Sequence, residues 1–173
     1  MRSDPKVKKL TTVSLMAAVI FVVTYLIRIP MPIASGGYIN IGDAPVYLAA
    51  ALLGGPAGMI AAAAGSSLAD LASGFVHYIL PTAIVKGLMG LVCGRLMEKD
   101  SFARFVIASV IGGAIMVFGY AVSDVALMSI NQAEINYSLA LAAIPFNLIQ
   151  WVAGVAVAAA VYPVIPRIKR SLL

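Results

Sequence analysis

GSSLADLASGFVHYILPTAIVKGLMGLVCG, residues Gly65–Gly94, is the stretch on which the fold turns. It reads as the end of one membrane helix, a short turn at Gly74–Tyr78, and the next helix running back. Two ionisable side chains, Asp70 and Lys86, stand in segments otherwise apolar enough for lipid. An ionisable group at membrane depth is expensive and marks a functional site by default. Each also stands at the less favourable end of its helix. Peptide dipoles leave a helix N-terminus partly positive and a C-terminus partly negative. Asp70 lies near the C-terminal end of its segment, and Lys86 about two turns into the next. Neither is explained as a cap, so each needs a partner. Two readings stay open: a structural ion pair between Asp70 and Lys86, or a pair that also faces a ligand cavity.

The 173-residue chain is 62% hydrophobic and only 11% charged. A soluble domain has about 25% charged residues, so this chain could not cover its own surface with polar groups. It reads as one all-α integral membrane domain over residues 1–173, a bundle of six transmembrane helices. The apolar runs are too many for a signal peptide, and Met1–Thr12 has no cleavage-site pattern. The single cysteine, Cys93, excludes an internal disulfide and a thiolate metal cluster. The net charge of +5 lies at segment ends, a pattern that fits orientation in a bilayer and not nucleic-acid binding.

The expected spans are Leu10–Ile29, Ala44–Leu53, Ala57–Ser73, Ile79–Met97, Phe105–Met128 and Leu139–Ile165. Ile33–Ile41 is a loop, and Asn131–Ser138, with Glu134, is another. Ala44–Leu53 would be only about 15 Å long against a hydrocarbon core of about 30 Å. It must be extended, distorted or buried among neighbours. Gly54-Gly55-Pro56 is a tight turn that ends one helix and opens the next. Pro145 marks a start or kink in the last span. Of the twelve Lys and Arg residues, ten lie at the N-terminus, in the loop after span four or at the C-terminus; Arg28 and Lys86 are the exceptions. The positive-inside rule then puts both termini in the cytoplasm.

With that topology the unusual polar residues gather in the outer half. Gly58, Ala62, Ser66, Asp70 and Gly74 recur every four positions in span three, and Thr82, Lys86, Gly90 and Gly94 do so in span four. Such stripes let helix backbones approach closely. Asp124 ends a Met116, Tyr120, Asp124 face on span five, either hydrated at the interface or facing a pocket. Asp43 opens a helix, where a carboxylate caps free N–H groups. Asn147, Gln150 and Trp151 share a face of span six (i, i+3, i+4). They read as interhelical glue or as a wall against a flat ring. The outer turns add Tyr38, Asn40, His77 and Tyr78, the histidine more in keeping with a solvated turn.

Several chemistries have no residues to carry them. One histidine and one cysteine do not make a zinc site. There is no G-x-S-x-G elbow and no G-x-x-x-x-G-K-[ST] phosphate loop, so the sequence reads as that of a non-enzyme that needs no cofactor. Uphill movement of a solute would draw on an ion gradient or on another protein. Ser14 and Ala18 form a small-xxx-small pair on span one, suited to docking a partner or to packing within the chain.

The segments Tyr38-Ile-Asn-Ile-Gly-Asp-Ala-Pro45, Gly65-Ser-Ser-Leu-Ala-Asp-Leu-Ala-Ser-Gly74 and Lys86-Gly-Leu-Met-Gly90 resemble the substrate-binding S components of energy-coupling factor (ECF) vitamin transporters, in the riboflavin- and hydroxymethylpyrimidine-type branch. The resemblance implies a six-helix subunit of a prokaryotic plasma membrane that binds a vitamin from outside, under a lid formed by the loop after helix one. It implies docking on an EcfT-type transmembrane coupling protein with two ATPase subunits, through an A-x-x-x-A-like motif in which Ser14 here replaces the first alanine. By position, it points to Tyr38, Asn40, Lys86, Tyr120, Asp124, Asn147, Gln150 and Trp151 as substrate-binding, with Asp70 and Tyr78 close by. A hydroxymethylpyrimidine or B6-type ring suits that set better than a flavin. The alternative is a stand-alone ion-coupled carrier using Asp70, Asp124 and Lys86 as a relay. If Asp70 is the counter-charge of Lys86, Asp70→Asn should harm binding or folding more than Asp43→Asn.

Overall fold

The computed structural model describes residues 4–31, 37–99, 101–130 and 137–172. Helices make up nearly all of it: α1 (Pro5–Leu26), α2 (Asp43–Leu53), α3 (Gly55–Ala72), α4 (Ile79–Leu96), α5 (Phe102–Ile130), α6 (Tyr137–Val161) and a short α7 (Ile165–Leu172). The turn of the opening stretch is a single 3-10 turn, Val76–Tyr78. Two strands, β1 (Arg28–Pro30) and β2 (Tyr38–Asn40), pair antiparallel with Arg28 opposite Asn40.

That hairpin departs from the expected continuous first span and irregular loop. Helix α1 stops at Leu26 because Pro30 bars Ile29 from helical dihedrals and leaves it extended. The strands then satisfy backbone groups that a loop would leave unpaired, and Met31 N donates to Gly37 O at 3.1 Å to continue the ladder. The middle of the expected lid, residues 32–36, lies outside the described residues, as do residues 131–136 with Glu134.

The short second span is resolved by burial. Only 11 residues long, α2 runs through the middle of the bundle, with Val46, Tyr47, Ala49 and Ala50 inaccessible to solvent. A helix covered on all sides has no polar stripe to show, and its alanines let neighbours approach closely. Gly54, at φ +78°, turns α2 directly into α3, a conformation that other residues adopt only with strain. Pro145 sits inside α6 without ending it, and the end of the last span comes instead at the Tyr162–Val164 turn, where Pro163 interrupts the hydrogen-bond ladder.

The two small-residue stripes face inward, with Gly58, Ala62, Ser66 and Asp70 of α3 and Thr82, Lys86, Gly90 and Gly94 of α4 all buried. Their backbones nearly touch: a Cβ on Gly90 would lie 2.6 Å from the Gly58 carbonyl oxygen. Gly90→Ala is therefore expected to force the helices apart at a cost of about 1–3 kcal/mol. A thermal melt of the variant in detergent checks this.

Large apolar side chains such as Leu15, Ile60, Leu80, Ile84, Phe118 and Val152 cover the outside, while Asp43, Asp70, Lys86 and Asp124 lie within. Water would penalise that distribution and a bilayer rewards it. Among the described residues, four helical stretches are long and apolar enough to cross a membrane: Pro5–Leu26, Val76–Leu96, Phe102–Ser129 and Leu141–Ser171.

Candidate functional site

At the end of the bundle that carries the hairpin, the helices part around a cavity of about 60 Å³. Its wall draws on α1, β2, α3, the 3-10 turn, α4, α5 and α6. Thr24 comes from α1, Tyr38 and Asn40 from β2, and Ser66 and Asp70 from α3. Tyr78 comes from the 3-10 turn, Thr82 and Lys86 from α4, Tyr120 and Asp124 from α5, and Asn147 and Gln150 from α6. Nine of the ten substrate-binding candidates thus share one space; Trp151 does not.

The charge pairing is not the one the sequence implied. Lys86 Nζ is bonded to Asp43 Oδ1, and both side chains are essentially inaccessible. Asp43 is not a cap either. Gly42 takes the N-cap position of α2, and no side chain caps that end. The Asp43 carboxylate instead turns into the bundle, where α6 makes room for it at Gly154: a Cβ there would meet Asp43 Cβ at 2.8 Å. Placed at the positive end of the α2 dipole and against an ammonium, this carboxylate is well compensated. Gln150 completes the shell, its Nε2 donating to Asp43 Oδ2 at 3.0 Å. The Gln150 Oε1 accepts from the Asn40 backbone N–H at 3.0 Å and from Asn40 Nδ2 at 3.3 Å. One amide thereby ties the hairpin to the floor of the cavity.

Asp70 and Asp124 are each held by a tyrosine. Tyr38 donates its hydroxyl to Asp70 Oδ1 at 2.5 Å, and Tyr78 donates to Asp124 Oδ1 at 2.6 Å. Burial first, and then the neighbouring Asp70, push the Tyr38 hydroxyl well above the usual tyrosine range, so it remains a donor. Asp124 is buried, which removes the reading that it is hydrated at an interface. Thr82 Oγ1 and Tyr120 OH share a hydrogen bond of 3.0 Å, and Lys86 Nζ lies 5.5 Å from the centroid of the Tyr120 ring. Tyr38 packs on Phe75 with centroids 5.1 Å apart, so rings and carboxyls alternate around the space.

Trp151 faces elsewhere. Its Nε1 donates to Ser109 O on α5 at 3.3 Å, and its ring fills the gap left by Gly113. The step from Gln150 to Trp151 turns about 100° around the helix, enough to separate a cavity residue from a packing one. His77 is exposed beside Tyr78, as a solvated turn residue would be. Arg28 stacks over Tyr25, 4.5 Å from its ring centroid. Thr24 and Phe75 join the wall without having been singled out from the sequence. Thr24 carried a weak signal, as a hydroxyl beside that of Tyr25 in the last apolar stretch of span one. Ser14 and Ala18 are exposed, on the side of α1 away from its buried Thr12, Ile20 and Thr24, so they do not pack within the chain. Among the described residues, no three His, Cys, Asp or Glu side chains come together to hold a metal.

The fold has solved counterparts. One, reported as the S component of a bacterial ECF transporter, superposes with a TM-score of 0.69 at 18% identity over 96% of this chain and 97% of that one. Another, an S component for biotin from an ECF-type ABC transporter, gives 0.66 at 20% identity over 98% and 95%. Among sequences, the thiamine precursor transporter HmpT of Lactococcus lactis subsp. cremoris is 25% identical over 95% of this chain and 91% of its own length. An uncharacterised protein of Pyrococcus woesei is 40% identical over 100 residues, 57% of this chain and 66% of that protein. The family model described as the ECF-type riboflavin transporter S component matches residues 4–167, nearly the whole chain. The chain therefore belongs to that family of membrane-embedded vitamin-transport subunits, which are not enzymes.

Proposed function

We propose that this subunit captures a small, ring-shaped vitamin or vitamin precursor from outside the cell and passes it inward with the help of separate energising subunits. The observation that carries this reading is a polar, ring-lined cavity inside a bundle whose exterior is apolar. With six passes, the second made by the short α2 buried among the others, the basic termini and the Arg95–Arg104 loop fall on the cytoplasmic side, and the cavity opens outward. The Ser14 and Ala18 face of α1 meets an EcfT-type coupling protein carrying two ATPases, since small exposed residues admit a close helix contact.

Size favours a single ring. The cavity measures about 60 Å³, a small space that favours a substituted pyrimidine or pyridine over a three-ring flavin. Hydroxymethylpyrimidine and B6-type rings are the favoured ligands. The likeness to HmpT, described as a thiamine precursor transporter, supports the pyrimidine.

The test is purification from the membrane followed by mass spectrometry of co-purifying small molecules, with thermal-shift assays against vitamins and precursors. A pyrimidine or pyridine carried through purification is the expected result. Lipid alone, with no thermal shift from any vitamin, would overturn the reading. Docking has its own check. Ser14→Trp or Ala18→Trp should lower energised uptake by cells at least tenfold, on the order of the 1.4 kcal/mol a lost close contact represents. The purified subunit should still hold its ligand.

A further inference from the structure

The cavity wall carries more polar atoms than partners, and the surplus has a sign. Tyr38 OH is committed to Asp70 and Tyr78 OH to Asp124, while Thr82 shares a hydrogen bond with Tyr120 and stands within reach of the Asp70 carboxyl. The Gln150 amide serves Asp43 and Asn40, and Asn40 Oδ1 accepts from Gly42 N at 2.7 Å. Two side-chain oxygens of wall residues are sealed in without a hydrogen-bond partner: Asp70 Oδ2, in a residue 5% exposed, and Thr24 Oγ1, in a residue 4% exposed. A buried carboxyl oxygen with no donor is costly, and a water or a ligand N–H brought against it from the cavity relieves that cost.

The charges point the same way. Among the described wall residues Lys86 is the single cation, and it is bonded to Asp43, which lies just behind the wall. That leaves Asp70 and Asp124 as two carboxyls with no basic side chain bonded to either. A ligand entering this space meets two carboxyls as acceptors for N–H groups, the neutral Asn147 amide and Ser66 hydroxyl, and no cation other than the paired Lys86.

We propose that Asp70 Oδ2 is the specificity-determining contact, receiving the exocyclic N–H of an amidine-type ring edge such as that of a 4-aminopyrimidine. The assignment rests on the reading of the cavity as a vitamin site and narrows it. An amino group beside a ring nitrogen offers a donor and a basic atom together. Whether the shared proton sits on the carboxyl or on the ring, the pairing is complementary. A 4-oxo ring puts a carbonyl where the exocyclic N–H donor stood, and its remaining donor, the ring N–H, is displaced from the position facing Asp70 Oδ2. A phosphate ester brings negative charge beside Asp70 and Asp124, so the site selects the free alcohol over the phosphorylated form. Riboflavin offers a single ring N–H set between two carbonyls, so its approach brings oxygen lone pairs beside the Asp70 carboxyl.

The experiment is calorimetric titration of the purified full chain with three probes: 4-amino-5-hydroxymethyl-2-methylpyrimidine, its 4-oxo counterpart, and its phosphate ester. Loss of one charge-assisted hydrogen bond is worth roughly 10- to 100-fold in affinity. The amino compound is therefore expected to bind at least tenfold tighter than the oxo compound, and the ester weakest of the three. In Asp70→Asn the preference for amino over oxo should collapse toward one, because the amide can donate to the oxo oxygen. A role limited to folding would lower both affinities alike and leave their ratio unchanged. Equal binding of amino and oxo forms by the unmodified chain, or an unchanged ratio in Asp70→Asn, overturns the assignment while the vitamin site stands. Binding of riboflavin in place of all three probes does the same. If neither the three probes nor any vitamin binds, the assignment falls together with the functional reading beneath it.

Discussion

Asp43→Ala is expected to destabilise the subunit by about 3–5 kcal/mol, the cost of leaving a buried charge without its counter-charge. Lys86 has nowhere else to turn. Its ammonium is walled by α2, α4 and the Tyr120 ring, and its bonded carboxylate belongs to Asp43. The loss should appear as a melting temperature lower by roughly 10 °C in detergent. The double substitution Asp43→Leu with Lys86→Met removes both charges and should recover much of that loss, since a buried ion pair replaced as a unit is close to neutral. Asp70→Asn, by contrast, keeps an acceptor for Tyr38 and strands no lysine, so it should cost the fold far less. This reverses the order expected from sequence, and the pair of melts decides it. A larger loss for Asp70→Asn than for Asp43→Ala would show that the Lys86–Asp43 bond does not hold the bundle.

Gln150→Leu comes second, at about 2–4 kcal/mol. Its amide bonds a carboxylate, a backbone N–H and the Asn40 side chain, and leucine satisfies none of them. Each buried group left unpaired costs about 1–3 kcal/mol, more where it is charged. The damage is also directional, because β2 loses its tie to α6. Hydrogen exchange should accelerate at Asn40 and at the hairpin amides, and ligand affinity should fall with it. Gln150→Glu separates the two effects: it keeps an acceptor for Asn40 but sets a second carboxylate against Asp43. Unchanged hairpin exchange in Gln150→Leu would mean that the hairpin is held by its own ladder alone.

Much of this site was legible in the chain because membrane depth makes polar residues conspicuous. Asp70, Lys86, Asp124, Asn147 and Gln150 stand out against alanine and leucine, and all five border the cavity. The inward stripes of α3 and α4 follow from small residues at four-residue spacing, which is a local property. The residues misread are those whose role depends on a neighbour far along the chain. Asp43 has the local look of a cap because it starts a helix, and only the depth at which α2 is buried turns it into the partner of Lys86, 43 residues away. Trp151 shares a sequence face with Gln150, yet α5 takes it with a gap at Gly113 that no periodicity announces. Thr24 is an ordinary hydroxyl until the hairpin folds over it.

By itself, then, the sequence determined the solvent, the helical class and which side chains are too polar to face lipid, since each of these follows from composition and spacing within a single segment. The tertiary structure alone decided which charge answers which, where the hairpin is tied, and which carboxyl oxygen is left waiting. Those are matters of a few ångströms between helices, and a side chain bonds whatever packing brings within reach of it.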